Sequence, residues 1–187
     1  MPSRKVAERL ISAKTRRERE KILSKQPREN DLELAHELKN ICYEVWTSVP
    51  AKAQKTALAL ADLSQINPHE EIRALACWTA GIADLTRGRL ENSVANLDRS
   101  AEAFRKIRQE HQAANTQVAK LIAFALLGKY DEALKTGKAA LKIFEKYADE
   151  LAAGKIEKNL GNIVARQNGS AEDYRNASLS LDEAEAE

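Results

Sequence analysis

The sequence predicts an all-α fold, a solenoid of stacked antiparallel helix pairs, and three observations carry that expectation. Gly81 to Phe104 and Leu121 to Phe144 repeat one another at an offset of 40 residues, with Gly88 on Gly128, Arg89 on Lys129, Leu90 on Tyr130, Glu91 on Asp131 and Phe104 on Phe144. A period of this size marks stacked supersecondary units, and a third copy opens in phase at Asn159-Leu160-Gly161-Asn162. Seven glycines and four prolines leave few breaks in 187 residues dominated by Ala, Leu, Glu, Lys and Arg, all good helix formers. No five-residue stretch alternates cleanly between apolar and polar within turn signals, so no strand is expected.

Each helix has its own start and stop signals. Ser3 caps a short helix through Ala13, and Thr15 with Glu18 forms a capping-box pattern for a second, which runs to about Ser24 ahead of Pro27. Asn30 with Glu33 repeats the pattern and opens a helix through about Thr47, with Leu34, Leu38, Ile41 and Val45 on one stripe. Pro50 suits a first helical position, so a partner helix runs to about Ser64. Asn67-Pro68-His69-Glu70 combines a cap, a first-turn proline and a box acid, and starts a helix that ends near Arg87. Gly88 and Gly128 end helices in the left-handed conformation, and the helices after them reach about Glu110 and Tyr147. A last pair, Leu151 to Gln167 and Ala171 onward, divides at Asn168-Gly169-Ser170. The expected organisation is a helical segment over 1–28 packed on a solenoid over 29–187, with pairs at about 30–64, 68–110, 111–148 and 150–187, the last truncated.

Leu127-Gly128-Lys129-Tyr130-Asp131-Glu132-Ala133 followed by Ala140-Leu141 resembles the turn and second helix of a tetratricopeptide repeat, and Leu160-Gly161-Asn162 resembles the centre of that family's first helix. The resemblance covers 34–187 and implies a right-handed superhelix. Ser93 stands where Ala133 carries the family's alanine, and Leu121 where Gly81 and Gly161 carry its glycine. The closing proline is missing, and the 40-residue period implies longer helices with Phe104 and Phe144 in the extra turn. A narrower likeness, in Leu10-Ile11-Ser12-Ala13, Trp78-Thr79-Ala80-Gly81-Ile82-Ala83 and Ala153-Gly154-Lys155-Ile156-Glu157-Lys158, is to the N-terminal repeats of bacterial CHAT proteins, caspase-like proteases. That likeness implies the recognition region of a larger protease.

Composition narrows the chemistry. The longest apolar run, Leu121 to Leu127, is far short of the ~20 residues a spanning helix needs, so no membrane partner and a cytoplasmic location are expected. Cys42 and Cys77 lack metal or redox spacing and read as buried thiols, while His36, His69 and His111 are scattered. His36-Glu37 and His69-Glu70-Glu71 each lack the second histidine a turn later that a zinc site requires. No cofactor, metal or catalytic residue is expected, and the chain reads as a non-enzyme.

Charge is uneven: residues 1–28 hold ten bases against three acids, while Glu172, Asp173, Asp182, Glu183, Glu185 and Glu187 face only Arg175 at the other end. A solvated helix face is the favoured account of the basic arm, nucleic acid the less favoured one, and self-association through opposite ends a third.

In tetratricopeptide superhelices the first helix of each pair lines the concave groove, and the 40-residue register then aligns Leu75, Asn115 and Lys155; Trp78, Val118 and Lys158; Thr79, Ala119 and Asn159; Ile82, Ile122 and Asn162. The wall passes from apolar to polar and basic. Lys158 and Asn162 resemble two members of a carboxylate clamp, with Lys155 and Arg166 adding charge nearby, so a peptide or protein partner is expected at Asn115, Lys155, Lys158, Asn159, Asn162 and Arg166. Leu75, Trp78 and Ile82 either floor an apolar groove or become core beneath the N-terminal helices, whose Val6, Leu10, Ile11, Ile22 and Leu23 need burial.

Overall fold

A helix start falls every twenty residues from Pro50 onward, at Pro50, Glu70, Leu90, Glu110, Tyr130 and Glu150. The computed structural model describes the backbone of residues 2–184 and the side chains of residues 3–169. Its helices are α1 (Pro2–Ser12), α2 (Arg16–Leu23), α3 (Asp31–Val45), α4 (Pro50–Ile66), α5 (Glu70–Leu85), α6 (Leu90–Lys106), α7 (Glu110–Leu126), α8 (Tyr130–Lys146) and α9 (Glu150–Ala184), with a 3₁₀ turn at Arg28–Asn30. No strand occurs among the described residues.

The regular spacing comes from the turns. Gly88 and Gly128 adopt φ +71, and at the alternate turns Arg108 (φ 61) and Ala148 (φ 53) occupy the same left-handed region without glycine. At each turn the next residue closes the helix end: the N–H groups of Arg89, Gln109, Lys129 and Asp149 donate to the carbonyls of Asp84, Phe104, Phe124 and Phe144 at 2.8–2.9 Å. This six-to-one bond satisfies carbonyls that a helix end leaves without partners. The 40-residue repeat is therefore two 20-residue units with one closing geometry.

Several caps differ from the sequence expectation. Thr15 Oγ1 does accept from the Glu18 N–H (3.2 Å), and the Glu18 carboxylate accepts from the Lys14 N–H (2.8 Å). Ser3, by contrast, lies inside α1 and donates to Glu33 (2.7 Å), and Asn30 makes no side-chain cap. His69, not Asn67, caps α5 by accepting from the Glu71 N–H. Asn67 is occupied elsewhere, donating to Asp31 and accepting from the His69 N–H. The division expected at Asn168-Gly169-Ser170 is absent, and α9 continues through it. One glycine inside a helix costs only about 1 kcal/mol, too little to end a helix by itself.

Consecutive helices pack on one another, and contacts also skip along α3, α5, α7 and α9, with no counterpart of that extent among α4, α6 and α8. The odd-numbered helices thus form an inner row. His36 Nε2 to Glu71 (α3 to α5) and His111 Nε2 to Asp149 (α7 to the start of α9) tie that row together, each at 2.8 Å. One apolar cluster runs from Ala7 to Ala123 and a second from Ala114 to Ile163, so α7 contributes to both.

The helix pairs are joined by exchanging large and small residues. A Cβ on Gly81 would lie 2.6 Å from Leu97, and one on Gly137 would lie 2.5 Å from Leu160 and 3.2 Å from Leu121. Gly81 and Leu97 in the first copy become Leu121 and Gly137 in the second, so the same contact is kept with its partners reversed. This accounts for Leu121 in place of a glycine. Ser93 has a reason too: its Oγ donates to the Gly81 carbonyl at 2.8 Å, which the bare glycine leaves within reach.

Gly81→Ala and Gly137→Ala are each expected to destabilise by about 1–3 kcal/mol through overpacking. Gly154→Ala and Gly161→Ala, where a Cβ meets nothing within 4 Å, should instead stabilise by about 0.5–1 kcal/mol. Urea unfolding of the four variants checks this, and a common response at all four sites would refute the large-and-small account.

Candidate functional site

The inner row carries two neighbouring hollows. The first, of about 200 Å³, is lined by Lys39 and Tyr43 from α3, Trp78 from α5, Gln112 and Asn115 from α7, and Lys155 from α9. The second, of about 150 Å³, lies between α7 and α9 with Ile122, Leu126, Asn159, Asn162, Ile163 and Arg166 in its walls. The residues anticipated from sequence are thus divided: Asn115 and Lys155 line the first hollow, and Asn159, Asn162 and Arg166 the second. Lys158 is exposed and lines neither.

Leu75 and Ile82 are core, at 1% and 0% exposure, and Trp78 at 3% is a core residue that also walls the first hollow. Their burial comes from α3, α4, α6 and α7, which surround α5, whereas α1 meets α3 and α4 and α2 meets α4. The N-terminal helices therefore bury their own apolar stripe on the first helix pair. The Trp78 ring meets Tyr43 edge-on at 6.0 Å and Phe104 at 6.1 Å, which holds the indole in one orientation.

Lys39 Nζ sits 5.0 Å from the centroid of the Trp78 ring, a cation–π distance. Burial holds its ammonium below the ordinary lysine range and pushes the Tyr43 phenol up. On the opposite side, Asp149 is held below the ordinary aspartate range, first by the Ala152 N–H bonded to its Oδ1 (3.0 Å), then by His111 and the nearby Lys155. His111 bridges its two neighbours, Nε2 lying 2.8 Å from Asp149 Oδ2 and Nδ1 3.3 Å from Asn115 Nδ2. Asp149 is thus spent on holding the start of α9.

Lys39, Tyr43 and Gln112 were not singled out by sequence reasoning. The register places Lys39: it stands 40 residues before Thr79, in line with Thr79, Ala119 and Asn159, whose aligned set begins only at α5. The buried residues keep that register, with Leu34, Ala35, Leu38, Ile41 and Cys42 of α3 falling on Ala74, Leu75, Trp78, Gly81 and Ile82 of α5. Carrying the 40-residue alignment back into α3 was the available signal.

The basic arm is partly consumed by internal pairing. Arg4 pairs with Glu37 (2.9 Å) and Glu44 (3.1 Å), Arg16 with Glu20 (2.8 Å), Arg28 with Asp31 (3.7 Å), and buried Arg19 with buried Asp62 (2.6 Å). The Arg4 and Arg19 pairs fasten α1 and α2 to the first helix pair, while Arg16–Glu20 lies within α2 and Arg28–Asp31 joins the 3₁₀ turn to α3. The acidic side chains from Glu172 onward, the other half of an end-to-end association, lie outside the described residues.

Neither thiol is activated. Cys42 is fully buried, donates to the Ala53 carbonyl (3.7 Å), and burial pushes its pKa up to about 12; burial also raises that of the half-buried Cys77. Among the described residues no group of His, Cys, Asp and Glu could hold a metal ion, and no helix is long and apolar enough to cross a membrane. No protein-family model, curated protein or solved structure matches this chain.

At neutral pH the folded chain should react slowly with a maleimide at Cys77, while Cys42 reacts only after denaturation. Rapid native labelling of Cys42, read by mass spectrometry, would contradict its burial.

Proposed function

We propose that this chain is a non-catalytic interaction scaffold, a right-handed tetratricopeptide-like superhelix that holds a peptide or protein segment along its inner row. One observation carries this reading: two adjacent hollows lie on the row where α3, α5, α7 and α9 touch, the first edged by polar side chains of α3, α7 and α9 and the second by polar side chains of α9 across from apolar ones of α7. Closer contact along one row than the other curves a stack of helix pairs toward that row, and stacked repeats use such concave surfaces for binding. Hollows in series suit an extended segment whose successive side chains enter them in turn.

Chemistry elsewhere gives less support to a catalyst. The thiols are buried and of raised pKa, and His36 and His111 are each engaged with a carboxylate across the row. A setting as the recognition region of a CHAT-type protease rests on the sequence resemblance alone. Four of the ten N-terminal bases are engaged in ion pairs within the chain, which favours the inner row over a nucleic-acid face on that arm.

A random peptide library displayed on phage and panned against the folded chain should enrich related sequences. Their affinity, measured by fluorescence anisotropy, should fall about tenfold in an Asn159→Ala, Arg166→Ala variant of unchanged helicity, roughly the loss of one charge-assisted contact. If panning yields no related sequences, or affinity is unchanged in the variant, the groove reading fails. Binding of nucleic acid that vanishes steeply with salt would instead support the basic arm.

A further inference from the structure

Helix α9 leaves open a face that α5 and α7 have covered. In α5 that face holds Ala74, Gly81 and Asp84: Ser100 of α6 donates to the Ala74 carbonyl (2.7 Å), Leu97 lies against Gly81, and Asn96 donates to Asp84 (2.9 Å). The residues 40 positions on, in α7, are Ala114, Leu121 and Phe124, buried or half-buried, and Leu121 lies beside Gly137 of α8. Forty positions further stand Gly154, Gly161 and Val164 of α9, all three exposed, and a Cβ on either glycine would meet nothing within 4 Å among the described residues. Lys158, which lines neither hollow, stands between the two glycines on the same side.

The sequence carries a helix of the kind that fills this place. Tyr174, Ala177, Leu181 and Ala184 follow Tyr130, Ala133, Gly137 and Ala140 of α8 by 44 residues, and Leu90, Ser93, Leu97 and Ser100 of α6 by 84. The signature of the covering helix thus recurs one helical turn late. A close turn at Asn168-Gly169-Ser170, in the register of Gly88 and Gly128, would bring Asp173 into the place of Ser93 and Ala133, both at 0% exposure. A carboxylate buried there without a partner is costly, so the register opposes folding back. Helix α9 instead runs on for 35 residues, about twice the 17 of α7 and of α8, the helices it packs on. A helical stretch beyond its neighbours is marginal in water by itself.

We propose that a second copy of this chain covers the open face: the two straight α9 helices lie antiparallel, and 171–184 of each takes on the other the place that α6 takes on α5. Setting Leu181 on Gly161, as Leu97 sits on Gly81, also brings Ala184 near Gly154 and Tyr174 near Val164. The two-fold axis then passes close to Gly169, whose missing side chain lets the backbones approach. Each contact is made twice, and the exchange of a like element between copies is a low-cost route to a dimer. Charge favours the antiparallel orientation: residues 150–169 hold Lys155, Lys158 and Arg166 against Glu150 and Glu157, whereas 170–187 hold six acids against Arg175. The two hollows lie on another side of α9, so this interface does not depend on the groove reading.

Sedimentation equilibrium of the full chain is expected to show a dimer that dissociates on dilution. Gly161→Leu, at a position open in a single copy, and Leu181→Gly should each weaken association about tenfold or more. Mixing the two variants, one of them ¹⁵N-labelled, should restore a mixed dimer of near-parent affinity, read by native mass spectrometry. Each of its two sites pairs one leucine with one glycine, as Leu121 and Gly137 do. A variant that had merely lost helix would not be rescued in this way.

A parent chain that stays monomeric at about 100 µM overturns the proposal. If that monomer is destabilised by Gly161→Leu, the segment covers its own chain instead. A dimer that neither variant weakens also overturns it, and dissociation of that dimer by charge reversal at Arg9, Lys21 and Lys25 would place the contact on the basic arm. Failure of the two variants to form a mixed dimer overturns the exchange between copies.

Discussion

The closing bond at each turn is the constraint on which the rest of the molecule depends. Four times, a left-handed residue lets the next N–H reach back to the carbonyl five positions earlier. The bond stops each helix after 16 or 17 residues and sends the chain back along it. Glycine takes that conformation freely at Gly88 and Gly128, whereas Arg108 and Ala148 take it against a steric penalty of about 1–2 kcal/mol. The helices on either side must offset that cost by packing. Phe104 and Phe144, whose carbonyls accept the bond at these two turns, are fully buried and supply part of it.

Given helices of nearly equal length, the next requirement is close approach, which the chain meets with few large side chains. Gly81 admits Leu97, and Gly137 admits Leu121 and Leu160. Packing interiors to crystal-like density needs complementary volumes at each contact, without fixing which helix supplies the large member. The two copies can therefore diverge at positions 81, 97, 121 and 137 and still keep one geometry. Ser93 and Ser100 use the same closeness to donate to the carbonyls of Gly81 and Ala74, which keeps two buried hydroxyls satisfied.

Polar groups divide the molecule by role. At the N-terminal end, arginines meet acids of the first helix pair, and the buried pair of Arg19 with Asp62 orients α2 on α4. Breaking such a pair leaves a buried charge, so it specifies the docking more than it stabilises it. In the first hollow the Trp78 Nε1–H is buried without an acceptor, and Lys39 lies half-buried on the indole face with no carboxylate within 4.0 Å among the described residues.

The sequence by itself determined the helical class, the 40-residue period and the left-handed ends at Gly88 and Gly128, because hydrophobic period and glycine at a helix end are local signals. It also pointed to Asn115 and Lys155, and to Asn159, Asn162 and Arg166, through the register of the repeats. Only the tertiary structure decided that these residues belong to two hollows, that Lys158 joins neither, and that Leu75 and Ile82 are core beneath α4, α6 and their neighbours. It alone brought Lys39, Tyr43 and Gln112 together with Trp78, on three different helices. Such convergence depends on how closely the inner helices pack, and pairwise packing across distant helices leaves no periodic trace in a sequence. The helix through Asn168-Gly169-Ser170 shows the same limit from the other side: turn-forming residues bend a chain only where a following helix has something to pack against.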